Sequence, residues 1–369
     1  MKRRTIAARL AGLAGFWAAV LAFATVTAAQ VTPAQGYVPP DDKPSVKIGG
    51  TTFIDYTYTD SPKGKDANGN EINPNSFNIT RAYINVTGQV HHLLSFRITP
   101  DITRDTDAAG SLAGSLVVRL KYGFGQFNMD EWTTKGTWIR LGLQQTPYID
   151  YAEGIYRYRF QSAIEVDRDG FLTSSDLGLS GHYNFPENYG DVHIGFYNGE
   201  GYSKAEANDQ KGFQVRAAFR PFPSVQVAKG WRIAGYYNAD HVAHDQKRNR
   251  WLADTTFEYQ YVNVGFSYIW GENQAAPGAP TVTATGLSVW ANPRTSFGLE
   301  ALIRYDEYKA NKDLDPKKKR VIAGIAWWFN FGHGITAALM ADYDDEKFSN
   351  YSPAVPNNRK YGLHTLLNF

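Results

Sequence analysis

The chain is 369 residues long, with 38 Lys and Arg against 36 Asp and Glu. Four of the basic residues fall in a first stretch of thirty without an acid, so the rest sits at about −2, which excludes a nucleic-acid binder built on basic excess. The absence of cysteine excludes disulfides, thiolate zinc sites and cysteine nucleophiles, and a mean hydropathy of −0.41 excludes a polytopic helical membrane protein. What remains is a chain rich in aromatics and glycine, with 23 Tyr, 21 Phe, 9 Trp and 34 Gly. That balance suits a large β protein, including a transmembrane barrel that hydropathy does not see.

In chain order, Lys2, Arg3, Arg4 and Arg9 give a basic start. An apolar run over 10–26 and small residues ending at Ala28 and Ala29 follow. Residues 1–29 therefore read as a secretory signal peptide, because the run is shorter than the roughly 20 residues a spanning helix needs. Residues 30–45 hold Pro33, Pro39, Pro40 and Pro44 and read as an extended periplasmic linker.

From 46 to 369 the pattern is alternation, with no long helical period. Strands are expected at 46–59, 76–88, 93–104, 113–124, 136–145, 174–184, 190–198 and 211–220. Eight more are expected at 230–240, 249–258, 260–270, 281–291, 296–308, 319–330, 333–344 and 360–369. Connections alternate in length. Long ones rich in Gly, Asn, Asp and Pro lie at 60–75, 199–210, 271–280, 309–318 and 345–359. Short ones lie at 89–92, near 259, at 292–295 and at 331–332, while two others on the same side, 125–135 and 221–229, are longer. Short inner turns and long outer loops are the habit of an outer-membrane barrel.

The two faces agree with this. Leu116, Val118, Leu120 and Tyr122 alternate with Val117, Arg119 and Lys121, and Phe213, Val215, Ala217 and Phe219 alternate with Gln214, Arg216 and Ala218. Sixteen strands enclose a lumen too wide for side chains to fill, so the apolar face must point into lipid. The expected fold is all-β: a transmembrane antiparallel barrel of about sixteen strands, with the longest outer connection, 146–173, folded into the lumen. Aromatic pairs near strand ends, such as Tyr236 and Tyr237 or Trp327 and Phe329, suit interfacial girdles.

The last strand carries Tyr361, Leu363, Thr365, Leu367 and the terminal Phe369 on one face. It resembles the assembly signal of outer-membrane barrels, whose last strand ends in an aromatic residue. The segments FNITRAYINVTG at 77–88, FRITPD at 96–101 and WIRLGLQQTP at 138–147 resemble the phosphate-selective porin O/P family. The motif likeness covers about the first third of the mature chain. It implies a trimeric channel for small anions in the bacterial outer membrane, with selectivity set by lumen arginines and lysines.

Arg81, Arg97, Arg119, Lys121 and Arg140 fall on the polar parity of adjacent strands and should line one wall. Asp254, Glu258, Glu300, Asp306 and Asp342 fall on the polar parity of later strands, which predicts an opposing acidic wall. The inward loop adds Arg157 and Arg159 among Asp150, Glu153, Glu165, Asp167 and Asp169. Two mechanisms fit: an arginine path that replaces part of an anion's hydration, or a transverse field between basic wall and acidic loop in a general diffusion pore. A structural or adhesive barrel without an open pore is the third reading. The run at 317–320 (KKKR) is a basic mouth, a clamp on lipopolysaccharide phosphates, or a solvated loop.

Signals for enzymes are weak. His241 and His244 sit at a strand end, where they do not share a face. Gly178, Ser180 and His182 resemble a nucleophile elbow without its final glycine or its strand-to-helix turn. The expectation is a non-enzymatic channel without cofactor or metal, whose partners are small solutes, outer-membrane lipid, lipopolysaccharide and two further copies of itself.

Overall fold

A computed structural model describes residues 43–105 and 110–369; the expected signal peptide and most of the linker lie outside them. Sixteen long strands form one closed antiparallel sheet. The first eight are β1 (Ser45–Ser61), β2 (Asn75–His91), β3 (Leu94–Arg104), β4 (Leu116–Asn128), β5 (Trp138–Gln145), β6 (Ser175–Asn184), β7 (Gly190–Tyr197) and β8 (Gly212–Phe219). The others are β9 (Trp231–Ala239), β10 (Gln246–Tyr259), β11 (Val262–Gln274), β12 (Thr281–Pro293), β13 (Leu299–Lys309), β14 (Lys317–Gly332), β15 (Ile335–Ser349) and β16 (Asn358–Asn368). Each expected strand is present, within a few residues at its ends.

Closure is made by β1, which pairs with both β2 and β16. At the inner end Gly50 and Phe369 exchange backbone hydrogen bonds of 2.8 and 3.0 Å. A Cβ on Gly50 would run into the Phe369 ring, and one on Gly49 would come within 2.6 Å of its carbonyl oxygen. The glycine pair is therefore the seat of the C-terminal aromatic. The seam is tied again by His364, whose ring nitrogens lie 2.9 Å from Asp55 and 3.0 Å from Asp342. Gly50→Val is expected to displace Phe369 and lower the temperature at which the folded band is lost in heat-modifiability gels; an unchanged transition would remove this role for the glycine.

Val118, Leu141 and Ile325 are more than 60% exposed on the outside, as a lipid-facing surface must be. Outer-end rings (Tyr237, Trp251 and Trp270; Tyr343 and Tyr361) and inner-end rings (Phe257 and Tyr259; Trp327, Phe329 and Phe331) pack at 5.4–6.4 Å and form the two girdles.

Two bulges change which face a side chain takes. Phe53 pairs with Arg81 and Ile54 with Ile79, so Thr80 is the extra residue. Thr99 pairs with Tyr122 and Pro100 with Leu120, so Lys121 is the extra residue. An extra residue inverts the alternation beyond it. Tyr122, expected on the outer face with Leu116, Val118 and Leu120, consequently turns into the lumen beneath Arg97.

The 146–173 connection folds inside the barrel through helices α1 (Ile149–Tyr156) and α2 (Glu165–Arg168). Tyr148, Ile155, Tyr156, Tyr158, Phe160, Val166 and Phe171 are buried against Leu252, Ile269, Trp290, Leu302, Ile322 and Met340 of the wall. These wall residues face inward, so the lumen side of β10–β15 is apolar where the loop sits. Burying side chains of this size contributes roughly 1.5–3 kcal/mol each. The loop is fixed to one half of the barrel and leaves the space beside β2–β5.

Candidate functional site

The free space narrows between that wall and α1. On β2 and β3, Arg81 Nη1 lies 2.6 Å from Asp101, and on β4 Arg119 Nε lies 3.0 Å from the same oxygen. One fully buried carboxylate thus serves two guanidinium groups. Arg97 donates to Asn85 (2.8 Å) and Thr99 (3.0 Å), both neutral. Lys121, the extra residue of the bulge, is buried at the lumen wall, donates to Ser174 at the end of the loop and lies 4.0 Å from the Tyr202 ring centre. Arg140 donates to Gln126 (2.6 Å) and Gln145 (3.2 Å) and stacks over Trp138 at 3.7 Å.

The loop presents Asp150, Glu153 and Arg159 across this gap, with Arg159 Nε 2.7 Å from Glu153 and a second contact to Asp167 at 3.9 Å. Arg97, Lys121, Tyr83 and Tyr122 on one side and Asp150, Glu153 and Arg159 on the other enclose a cavity of about 120 Å³. Of the predicted residues, Arg97, Lys121 and Arg159 line this cavity; Arg81 and Arg119 are held beside it by Asp101, and Arg140 lines a separate cavity. Arg157 is elsewhere. It takes a left-handed φ of 68°, bonds Glu300 at 3.2 Å and stacks on Trp328 on the far side.

The later acids form no open wall, contrary to expectation. Asp254 accepts from Tyr148 (3.1 Å), Glu300 from Arg157 and Tyr158 (3.0 Å), and Asp342 from Gln161 (2.8 Å). Asp306 holds Arg168 and Arg304, both at 2.9 Å, and Glu258 pairs with Arg232. Four of the five anchor the loop. The 317–320 run is also reassigned, since it begins β14: Lys318 clamps Asp169, Arg320 pairs with Asp344, and Lys319 stays on the outer side.

Alternation missed the aromatics of the aperture. Tyr122 needs the bulge, and Tyr202 comes from the 198–211 outer loop, which reaches in so that its hydroxyl accepts from Arg119 at 2.8 Å. No signal in the sequence marks that reach. Ser180 does meet His193, at 3.2 Å, but its hydroxyl donates to Gln144 at 2.6 Å, so its proton is directed away from the imidazole. His244 bonds Asp209 at 2.7 Å on the outer surface, and no cluster among the described residues is fit to hold a metal.

Burial pushes the Glu153 carboxyl up to about 7, against the opposing pull of Arg159. As pH falls from 8 to 6 Glu153 takes up a proton and the aperture gains positive charge. Anion preference should rise over that window, measured by reversal potential, and Glu153→Gln should flatten the rise; a wild-type profile without slope would count against this titration.

No protein-family model and no curated protein matches the chain. Solved structures do. OmpF of Salmonella typhi, in a complex with daunomycin, superposes with a TM-score of 0.60 at 15% identity, over 88% of this chain and 97% of that one. The fold is that of the outer-membrane porins. OmpT of Vibrio cholerae, an outer-membrane protein, gives 0.58 at 13% identity over 89% and 99%. The outer membrane channel DcaP of Acinetobacter baumannii gives 0.57 at 8% over 90% and 99%. At such identities the likeness is one of fold, and it lends no support to the narrower phosphate-selective porin O/P resemblance.

Proposed function

We propose that this protein is a channel of the bacterial outer membrane, not an enzyme, through which small hydrophilic solutes diffuse passively with a preference for anions. The observation that carries this reading is the placement of the loop: pinned to β10–β15, it leaves an aperture lined by Arg97 and Lys121, with Arg81 and Arg119 beside it on one buried acid, Asp101. Arg159 joins them from the loop side. A narrow water column screens fixed charge poorly, so that wall sets which ions enter. Phosphate is one candidate solute.

A second reading, a general diffusion pore, is favoured by Asp150 and Glu153 facing the wall across the same cavity. A homotrimer fits the fold, and the Vibrio cholerae OmpT has been solved in a trimer form. On the outer side Lys319 and Lys347 are register partners on β14 and β15, exposed at 50% and 66%. Each has a carboxylate at some distance, Lys319 at 3.9 Å from Glu307 and Lys347 at 3.7 Å from Asp345, and an outer face with two lysines set opposite one another suits a lipopolysaccharide phosphate.

The test is the reversal potential of the purified protein in a bilayer under a chloride gradient, repeated with phosphate competing. An anion-signed potential is expected. Chloride current blocked by low phosphate supports phosphate selectivity, a potential near zero leaves the general pore, and absence of conductance from folded protein sinks both.

A further inference from the structure

β4 runs inward from its outer end at Leu116, so Arg119 stands outward of Lys121. Both meet a residue that belongs neither to the wall nor to the inward loop. Tyr202 accepts from Arg119 Nη2 at 2.8 Å, and its ring centre lies 4.6 Å from the same guanidinium and 4.0 Å from the Lys121 ammonium. The 198–211 connection that carries it joins β7 to β8, and β5 and β6 stand between β7 and β4 in the sheet. The connection therefore crosses over two strands to deliver this one ring.

The crossing is anchored just before the ring. The Gly199 N–H donates to the buried Asp176 carboxylate at 2.8 Å, and the Gly199 carbonyl accepts from Arg248 of β10 at 2.6 Å. Gly201 takes a φ of 81° and packs on Thr173, at the end of the inward loop, where a Cβ would come within 2.6 Å of the hydroxyl oxygen. No residue with a side chain fits there, so the backbone that leads to Tyr202 is held against the inward loop itself.

The result is cover. Lys121 lines the aperture cavity yet is only 4% exposed. The face of an aromatic ring carries negative potential, so a ring can lie over two cations without repelling them. It also fills the room that a solute arriving from outside would need.

We propose that Tyr202 is a specificity-determining residue of the channel: the outer loop sets its ring over Arg119 and Lys121 as a second constriction, which limits the size of the anion that reaches the basic wall. This rests on the anion-channel reading, and the two are tested by separate readouts.

The full chain, folded in detergent, is acylated on its lysines with a water-soluble succinimidyl ester, and the sites are followed by peptide mass mapping. The same preparation is recorded in bilayers in chloride and in gluconate. In the wild-type chain Lys121 should react on the order of tenfold more slowly than Lys347, which is 66% exposed. Tyr202→Ala should speed Lys121 on the order of tenfold and raise the gluconate-to-chloride conductance ratio. Tyr202→Phe keeps the ring and should stay near wild type in both readings. Lys318, held to Asp169 of the inward loop, should stay slow throughout and reports that the loop remains packed. A wild-type Lys121 as reactive as Lys347 overturns the proposal, as does a Tyr202→Ala chain with slow Lys318 in which neither reading moves. Should Tyr202→Ala also speed Lys318, the wild-type comparison decides alone. A protected Lys121 in folded protein that never conducts would refute the channel reading and keep the cover; conductance with an unprotected Lys121 would do the reverse.

Discussion

Arg97→Gln combined with Lys121→Gln lowers the anion-to-cation permeability ratio on the order of tenfold. Both residues line the aperture. A unit charge about 7 Å from a passing ion contributes about 0.6 kcal/mol even at the dielectric constant of bulk water, or roughly threefold in relative occupancy per charge. Two such charges compound. The amide introduced by Lys121→Gln keeps a donor for Ser174, so the end of the loop keeps its tether. Asp101 already holds Arg81 and Arg119, which makes those two the weaker targets. The difference should shrink in 1 M salt, where the Debye length is about 3 Å, and widen at 0.1 M, where it is about 10 Å. A permeability ratio equal to wild type at 0.1 M would remove the wall from the selectivity mechanism.

Asp306→Ala frees the inner loop. The carboxylate is 2% exposed and accepts from Arg304 Nε at 2.9 Å and Ser288 at 2.6 Å, with Arg168 of the loop 2.9 Å away. Its removal leaves the buried Arg304 without its counter-charge and Arg168 with Asp169 alone, a loss of about 3–5 kcal/mol for a broken buried pair. Arg304 also holds the loop directly, through the Tyr156 hydroxyl at 3.2 Å and the Ala163 carbonyl at 3.1 Å, so the disturbance reaches the middle of the inward fold. The strands keep their ladders, and the barrel should still assemble. Single-channel recordings should show larger, noisier steps, and limited proteolysis should cut within 146–173. Quiet, wild-type steps and an uncut loop would show that the apolar cluster alone fixes the loop.

Much of the architecture was legible in the sequence because a lipid-facing strand repeats with period two and has no freedom to do otherwise. Leu116, Val118 and Leu120 against Arg119 and Lys121, or Phe213 and Val215 against Gln214 and Arg216, announce their faces without any partner. Sixteen such segments, with connections alternating in length, sufficed for the closed barrel. The inward parity of Arg81, Arg97 and Arg119 was legible for the same reason.

The aperture was decided in three dimensions. Register belongs to a pair of strands, so the bulges at Thr80 and Lys121, and with them the inward turn of Tyr122, exist only once β1 meets β2 and β3 meets β4. The side the loop takes depends on Leu252, Ile269, Leu302, Ile322 and Met340, apolar residues on a face that alternation assigns to water. They are intelligible only as the seat for Tyr156, Tyr158 and Phe160. The acids of the later strands follow the same logic, spent on anchoring a segment about a hundred or more residues away in sequence. Local periodicity fixes which way a side chain points; what stands opposite it is set by contacts distant in sequence, which only the folded barrel supplies.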